Sequence, residues 1–145
     1  YRHFASKAQM FDGLIDFVEQ SCMGLIRQVT DRESEGPNQA RRIVSLILQF
    51  AEKNPGMCRV MTGDALIHEH ERLQQRVNLL MDKIEAQLRQ SLKGTLEGSA
   101  TPTVDVQVAA SVLLAFLLGR LQRHVHTGFA RKPTELLQES LARLI

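Results

Sequence analysis

An all-helical fold is predicted, on three observations. Apolar residues recur at spacings of three and four in almost every segment, no segment keeps the every-other-residue alternation of a strand, and Ser, Pro and Gly fall where helices start and stop. With 43% hydrophobic residues, a chain of 145 residues has enough apolar side chain to close one core.

Residues 4–30 carry Phe11, Leu14, Ile15, Val18, Cys22, Leu25, Ile26 and Val29, which lie along one face of a helix. Ser6 followed by Gln9 reads as the capping box of that helix. Charges together with Gly36 and Pro37 make residues 31–38 a loop, after which Ile43, Leu46, Ile47 and Phe50 mark a second helix over about 37–53. Asn54 and Pro55 read as the cap and first residue of a short third helix that ends at Gly63. From Asp64 onward, Leu66, Leu73, Val77, Leu80, Ile84 and Leu88 predict a long helix ending near Gly94, followed by a loop to Pro102.

Thr101 and Pro102 open a further long helix in which residues 108–118 are apolar nearly all round. Pro133 and Thr134 open a last one, with Leu136, Leu137, Leu141, Leu144 and Ile145 on one face. That makes about six helices. The final two have more apolar surface than one core needs, which predicts a homodimer through a four-helix bundle. The expected interface is Val112, Leu113, Phe116, Leu117, Arg120, Leu137, Leu141 and Leu144.

A net charge of +2 and a pI near 8.8 are too mild to argue for nucleic-acid binding by themselves. Cys22 and Cys58 sit among apolar neighbours and read as buried thiols in a reducing compartment. No uninterrupted apolar run has the ~18–20 residues of a membrane span, so the expectation is a cytoplasmic protein. No nucleophile elbow, phosphate-binding glycine loop or HExxH motif occurs, and neither enzymatic activity nor a cofactor is expected. His68-Glu69-His70-Glu71, placed on a helix, sends its two imidazoles in divergent directions and so reads as an exposed face rather than a metal site. His124 and His126 lie near Arg120, Arg123, Arg131 and Lys132, where cations complement a helix C-terminus or form a surface for an acidic partner.

The opening residues Tyr1-Arg2-His3-Phe4-Ala5-Ser6-Lys7 resemble the junction in TetR-family regulators between the recognition helix and the first body helix. The resemblance implies that Tyr1, His3 and Lys7 contact DNA phosphates, while Phe4 packs the reading head onto the body. Such contacts position a protein on double-stranded DNA without reading bases. On this reading residues 1–5 are a remnant of a helix-turn-helix head, most of which lies outside the sequence, and 6–145 form a TetR-type regulatory and dimerisation domain.

Further stretches, Asn54 to Met57, Thr62 to Leu66, Arg72 to Gln74, Ile84 to Gln90 and Phe129 to Thr134, are similar to the nucleoid-occlusion branch of that family. This resemblance implies a nucleoid-associated dimer on palindromic chromosomal sites that inhibits assembly of the division protein FtsZ. It places an FtsZ-tail groove between the first two body helices, at Phe17, Leu46, Gln49, Lys53 and Asn54. The chain departs from the branch at Gln49, where glycine is usual, and at Lys53, where arginine is found; lysine lacks the bidentate fork. In the residues themselves, Phe17 and Leu46 offer an apolar anchor, with Asp12, Asp16, Gln49 and Lys53 as a polar rim. The same two apolar residues would equally serve to pack the helices together. The rival function is a TetR-type repressor released from DNA by a small ligand, with Thr62, His68 and His124 as cavity-lining candidates. The absence of Trp and the single Tyr weigh against an aromatic ligand cavity.

Overall fold

Helix α1 (Lys7–Arg32) forms because Ser6 closes its first turn: the Ser6 hydroxyl oxygen accepts the Gln9 backbone N–H at 3.2 Å. In the computed structural model, which describes residues 6–93 and 102–145 (side chains from 105 in the second stretch), α1 buries Phe11, Ile15, Val18, Cys22, Ile26 and Val29. It is followed by α2 (Gly36–Lys53), α3 (Pro55–Met61), a 3-10 turn (Asp64–Leu66), α4 (Glu71–Leu92), α5 (Pro102–His126) and α6 (Leu137–Leu144). The described residues contain no strand.

The centre of the core is α2, whose Ala40, Ile43, Val44, Ile47, Leu48 and Ala51 are fully buried, and which packs against α1, α3, α4 and α5. Pairs of adjacent buried residues repeating every turn give α2 a wide apolar face, so it is covered from more than one side. Cys22 and Cys58 are free and buried, and burial pushes both thiols up to about 12, so they act as small apolar residues.

Several boundaries differ from expectation for local reasons. The loop after α1 is shorter than residues 31–38, because α1 continues to Arg32 and α2 starts at Gly36. Asn54 does not cap α3 with its side chain; its amide instead donates to the Phe50 carbonyl at 2.8 Å and closes the end of α2. The fourth helix begins at Glu71, not Asp64. Gly63 adopts a left-handed φ of 83°, Leu66 is buried from a 3-10 turn, and His70 caps α4 by accepting the Arg72 N–H on Nδ1 at 3.0 Å. His68-Glu69-His70-Glu71 is therefore mostly a turn and a cap rather than a helical face. The last helix starts at Leu137, because Pro133 to Leu136 form turns and Leu136 has a φ of 51°.

Helix α5 has two unlike faces. Ala110, Leu113, Leu117 and Leu121 are fully buried in the core, whereas Val108 and Val112 on the opposite face are 56% and 42% exposed. This corrects part of the expected dimer interface: Leu113, Leu117 and Leu141 have no accessible surface left and Leu137 almost none, because the chain's own core consumes them. Val112, Phe116, Arg120 and Leu144 retain surface. The membrane expectation also changes. By length and composition alone Asp105–His126 is apolar enough to cross a bilayer, and 28% of its most apolar window is buried within the chain.

On the outside, α1 and α4 are joined by a ladder of ion pairs. The Asp12 carboxylate accepts from both terminal nitrogens of Arg72 at 2.8 and 3.0 Å and from Arg76 at 3.0 Å; Arg76 also reaches Asp16 at 2.6 Å, and Lys83 reaches Glu19 at 3.3 Å. Partners advance together along both helices, so these two faces run in the same direction. The Arg72 hydrogen bonds, followed by those of Arg76, hold the Asp12 carboxyl below its ordinary value despite partial desolvation.

Asp12→Asn is expected to cost about 1 kcal/mol at neutral pH, the usual scale for a well-formed but solvent-screened network. Since the folded-state pKa is depressed, that contribution is present above the unfolded value of about 4 and vanishes as pH falls through the folded value. Urea denaturation across this range should show the gap between parent and variant closing in acid; a gap that widened there would contradict the assignment. Gly63→Ala is expected to lower stability by about 1–2 kcal/mol through its left-handed backbone, since the Gln74 side chain in the way of a Cβ can swing aside. An unchanged denaturation midpoint would refute this.

Candidate functional site

A groove of about 280 Å³ lies between α1 and α2, lined by Ser21, Leu25, Leu46, Gln49, Phe50, Lys53 and Asn54. It thus brings together four of the five residues expected there. The fifth, Phe17, is 50% exposed and stands against Phe50, with ring centroids 6.2 Å apart and planes tilted by 44°. A phenylalanine that only joined two helices would be covered by them; this one keeps half its surface in water beside the groove. Leu46 and Phe50 are partly buried against the core and form the floor, while Gln49 and Lys53 are exposed.

The local sequence explains the geometry. Phe17, Ser21 and Leu25 are spaced by four along α1, a second stripe adjoining the buried one, and Leu46, Gln49, Phe50 and Lys53 share one side of α2. The hydrogen bond from the Asn54 amide to Phe50 fixes the end of α2 where the groove closes. Lys53 is the only ionised group among these lining residues, so the groove combines an apolar floor with one cation. A short extended or helical segment with apolar side chains and a carboxylate fits that chemistry.

Asp12 and Asp16 do not form its rim, contrary to expectation; both are engaged by Arg72 and Arg76 on α4. The sequence reading missed Ser21 as a lining residue and assigned Leu25 and Phe50 wholly to the core. The four-residue spacing from Phe17 was the signal that would have found Ser21 and Leu25.

At the other end of α1, Tyr1, His3 and Phe4 lie outside the described residues. Lys7 is the first residue of the helix and is exposed, with Nζ 2.9 Å from the Glu69 carboxylate and 5.9 Å from the centre of the Phe11 ring. A cation at a helix N-terminus is electrostatically disfavoured, and Glu69 compensates it. The three residues considered for a ligand cavity are not brought together. Thr62 lines a cleft of about 410 Å³ with Met61, Gln74, Met81, Leu114 and Gln122, whereas His68 is exposed and His124 is buried elsewhere. His124 donates from Nδ1 to the Arg131 carbonyl at 2.8 Å and packs edge-on to Phe129, which makes it a structural residue rather than part of a solvated basic face. Among the described residues no group of three or more His, Cys, Asp or Glu is placed to hold a metal ion.

Comparison with known proteins fits this architecture. The tetracyclin repressor-like C-terminal domain family of SlmA-like type matches residues 38–144. Nucleoid occlusion factor SlmA of Photobacterium profundum is 49% identical over 137 residues, covering 93% of this chain and 69% of that protein. The protein of the same name from Serratia proteamaculans is 48% identical over 136 residues, with 93% and 69% covered. That of Vibrio vulnificus is 44% identical over 146 aligned positions, with 99% and 74% covered. The helical body, the match over α2 to α6 and this level of identity together show that the chain belongs to the SlmA-like family of TetR-type regulators.

Proposed function

We propose that this chain is the body of a nucleoid occlusion factor: a non-enzymatic, DNA-binding dimer that, on chromosomal sites, captures the tail of FtsZ and prevents a septum from forming over the nucleoid. The reading is supported by relatives of that name and, in the chain itself, by the half-exposed Phe17 beside a groove with an apolar floor and a single cation. Phe17 and Phe50 would hold an apolar side chain of the tail, Lys53 a carboxylate, and Gln49 and Asn54 would offer hydrogen bonds to its backbone. Gln49 narrows the groove relative to a glycine, which favours a slim segment there.

DNA attachment belongs to a helix-turn-helix head preceding residue 6, with Tyr1, His3 and Lys7 on the phosphates. Lys7 would exchange Glu69 for phosphate at a helix end whose amides already favour an anion. The two bodies would pair through the uncovered face of α5, including Val112, Phe116 and Arg120, together with Leu144 of α6. Cytoplasmic, nucleoid-associated placement follows from DNA attachment.

The test uses the protein carrying its head, a palindromic DNA duplex and an FtsZ tail peptide. Phe17→Ala is expected to weaken peptide binding at least thirty-fold, roughly 2 kcal/mol, while DNA affinity and melting temperature stay near those of the parent. Lys53→Glu should also weaken it and reduce its dependence on salt. Parent-like FtsZ inhibition by Phe17→Ala would remove the groove assignment. Release of DNA by a small metabolite, with no response to the tail peptide, would favour the ligand-gated repressor, for which the 410 Å³ cleft is of ligand size.

A further inference from the structure

At the C-terminal end of α5, four basic side chains and one carboxylate surround a pocket of about 220 Å³: Arg120 and Arg123 on the helix, and Arg131, Lys132 and Glu135 beyond it. Its charges are unevenly satisfied. Arg131 holds the Glu135 carboxylate in a two-pronged pair, from Nε at 2.9 Å and from Nη2 at 2.5 Å, so these two cancel. Arg120 lies over the Phe116 ring and donates to neutral acceptors, the Glu135 carbonyl and the Ser140 hydroxyl. The side chains of Arg123 and Lys132 are exposed and have no hydrogen bond or ion pair among the described residues. The lining therefore carries three uncancelled positive charges facing one space.

Cations in the last turn of a helix are ordinarily accounted for by its dipole, equivalent to roughly half a charge. Arg123 meets that need; Lys132 lies beyond the helix and is left over. The wall carrying Arg131, Lys132 and Glu135 is also anchored. His124 holds the Arg131 carbonyl, the Thr127 hydroxyl oxygen accepts the Arg131 N–H at 3.0 Å, Pro133 is buried, and the Thr134 hydroxyl donates to Glu52 at 2.9 Å. The backbone that carries Lys132 is thus fixed before any ligand arrives, and only the exposed Arg123 and Lys132 side chains have to be ordered on binding.

We propose that this pocket is an anion site for a small phosphoryl group, either inorganic phosphate or the end of a phosphate monoester. Arg123 and Lys132 supply the direct contacts and Arg120 the charge behind them. Phosphate carries about −1.5 to −2 charges near neutral pH and several strong acceptor oxygens, which suits converging guanidinium and ammonium donors. The space, equivalent to roughly seven waters, admits such a group without moving the core. Arg131 is the positioning residue: its two-pronged pair with Glu135, itself on the pocket wall, offsets the repulsion that carboxylate would exert on the ligand. This site is separate from the groove between α1 and α2, and does not depend on the FtsZ reading.

The experiment is calorimetric titration of the chain with sodium phosphate and, separately, phenyl phosphate, against sodium chloride at matched ionic strength. Saturable binding of one phosphoryl group per chain is expected, weakened at least ten-fold in Arg123→Gln and in Lys132→Gln, with melting temperature and oligomeric state unchanged when phosphate is absent. Binding of phosphate alone would support the free ion as ligand, and equal or tighter binding of the ester would support a phosphorylated metabolite. Heats no larger than those of chloride, or full affinity in both variants, would overturn the proposal. Loss of the dimer in Arg123→Gln would also overturn it, by giving the pocket to the subunit interface.

Discussion

Everything in this structure hangs on α5, because one helix must satisfy two apolar faces. Ala110, Leu113, Leu117 and Leu121 fill the core, while Val108 and Val112 are left largely in water on the opposite side. At roughly 25 cal/mol for each Å² of apolar surface, covering that second face is worth several kcal/mol to any partner of matching shape. Ser111, Ala115 and Gly119, small residues spaced by four on the exposed side, allow another helix to approach closely. A two-fold pairing there would also set the distance between two DNA-reading heads, so that the symmetry of a palindromic site reflects the symmetry of the protein.

On the proposed reading, helix α1 links DNA attachment to capture of the FtsZ tail. Lys7 stands at its first turn and Phe17 ten residues on, about 15 Å along a rigid rod. The ion-pair ladder to α4 braces that rod on the side away from the groove. DNA at Lys7 and an FtsZ tail at Phe17 would then act on the start and the middle of one helix, a physical route from DNA attachment to the groove.

The helical fold was legible because its burial pattern follows the chemistry of the side chains. Ile15, Val18, Cys22, Ile26 and Val29 are spaced as a helix demands and are buried. Boundaries were less legible where a local competitor won: Gly63 and the His70 cap delayed α4, and the Asn54 amide turned back to α2 instead of opening α3. The groove was partly readable, since Leu46, Gln49, Lys53 and Asn54 do line it, but the choice of Asp12 and Asp16 as its rim failed. Which face of α1 an aspartate serves depends on the arginines that α4 brings, sixty residues later. Likewise, periodicity marked Leu113, Leu117 and Leu141 as apolar without saying whether their own core or a second subunit would cover them.

The central claim is that the uncovered face of α5 meets a second copy. Sedimentation equilibrium of the chain at micromolar concentration, with Val112→Glu as comparison, measures this directly. The parent should give twice the chain mass of 16.4 kDa and the variant the single mass with its helical content intact. A parent that sediments as one 16.4 kDa chain, or a variant that pairs as well as the parent, would contradict the account.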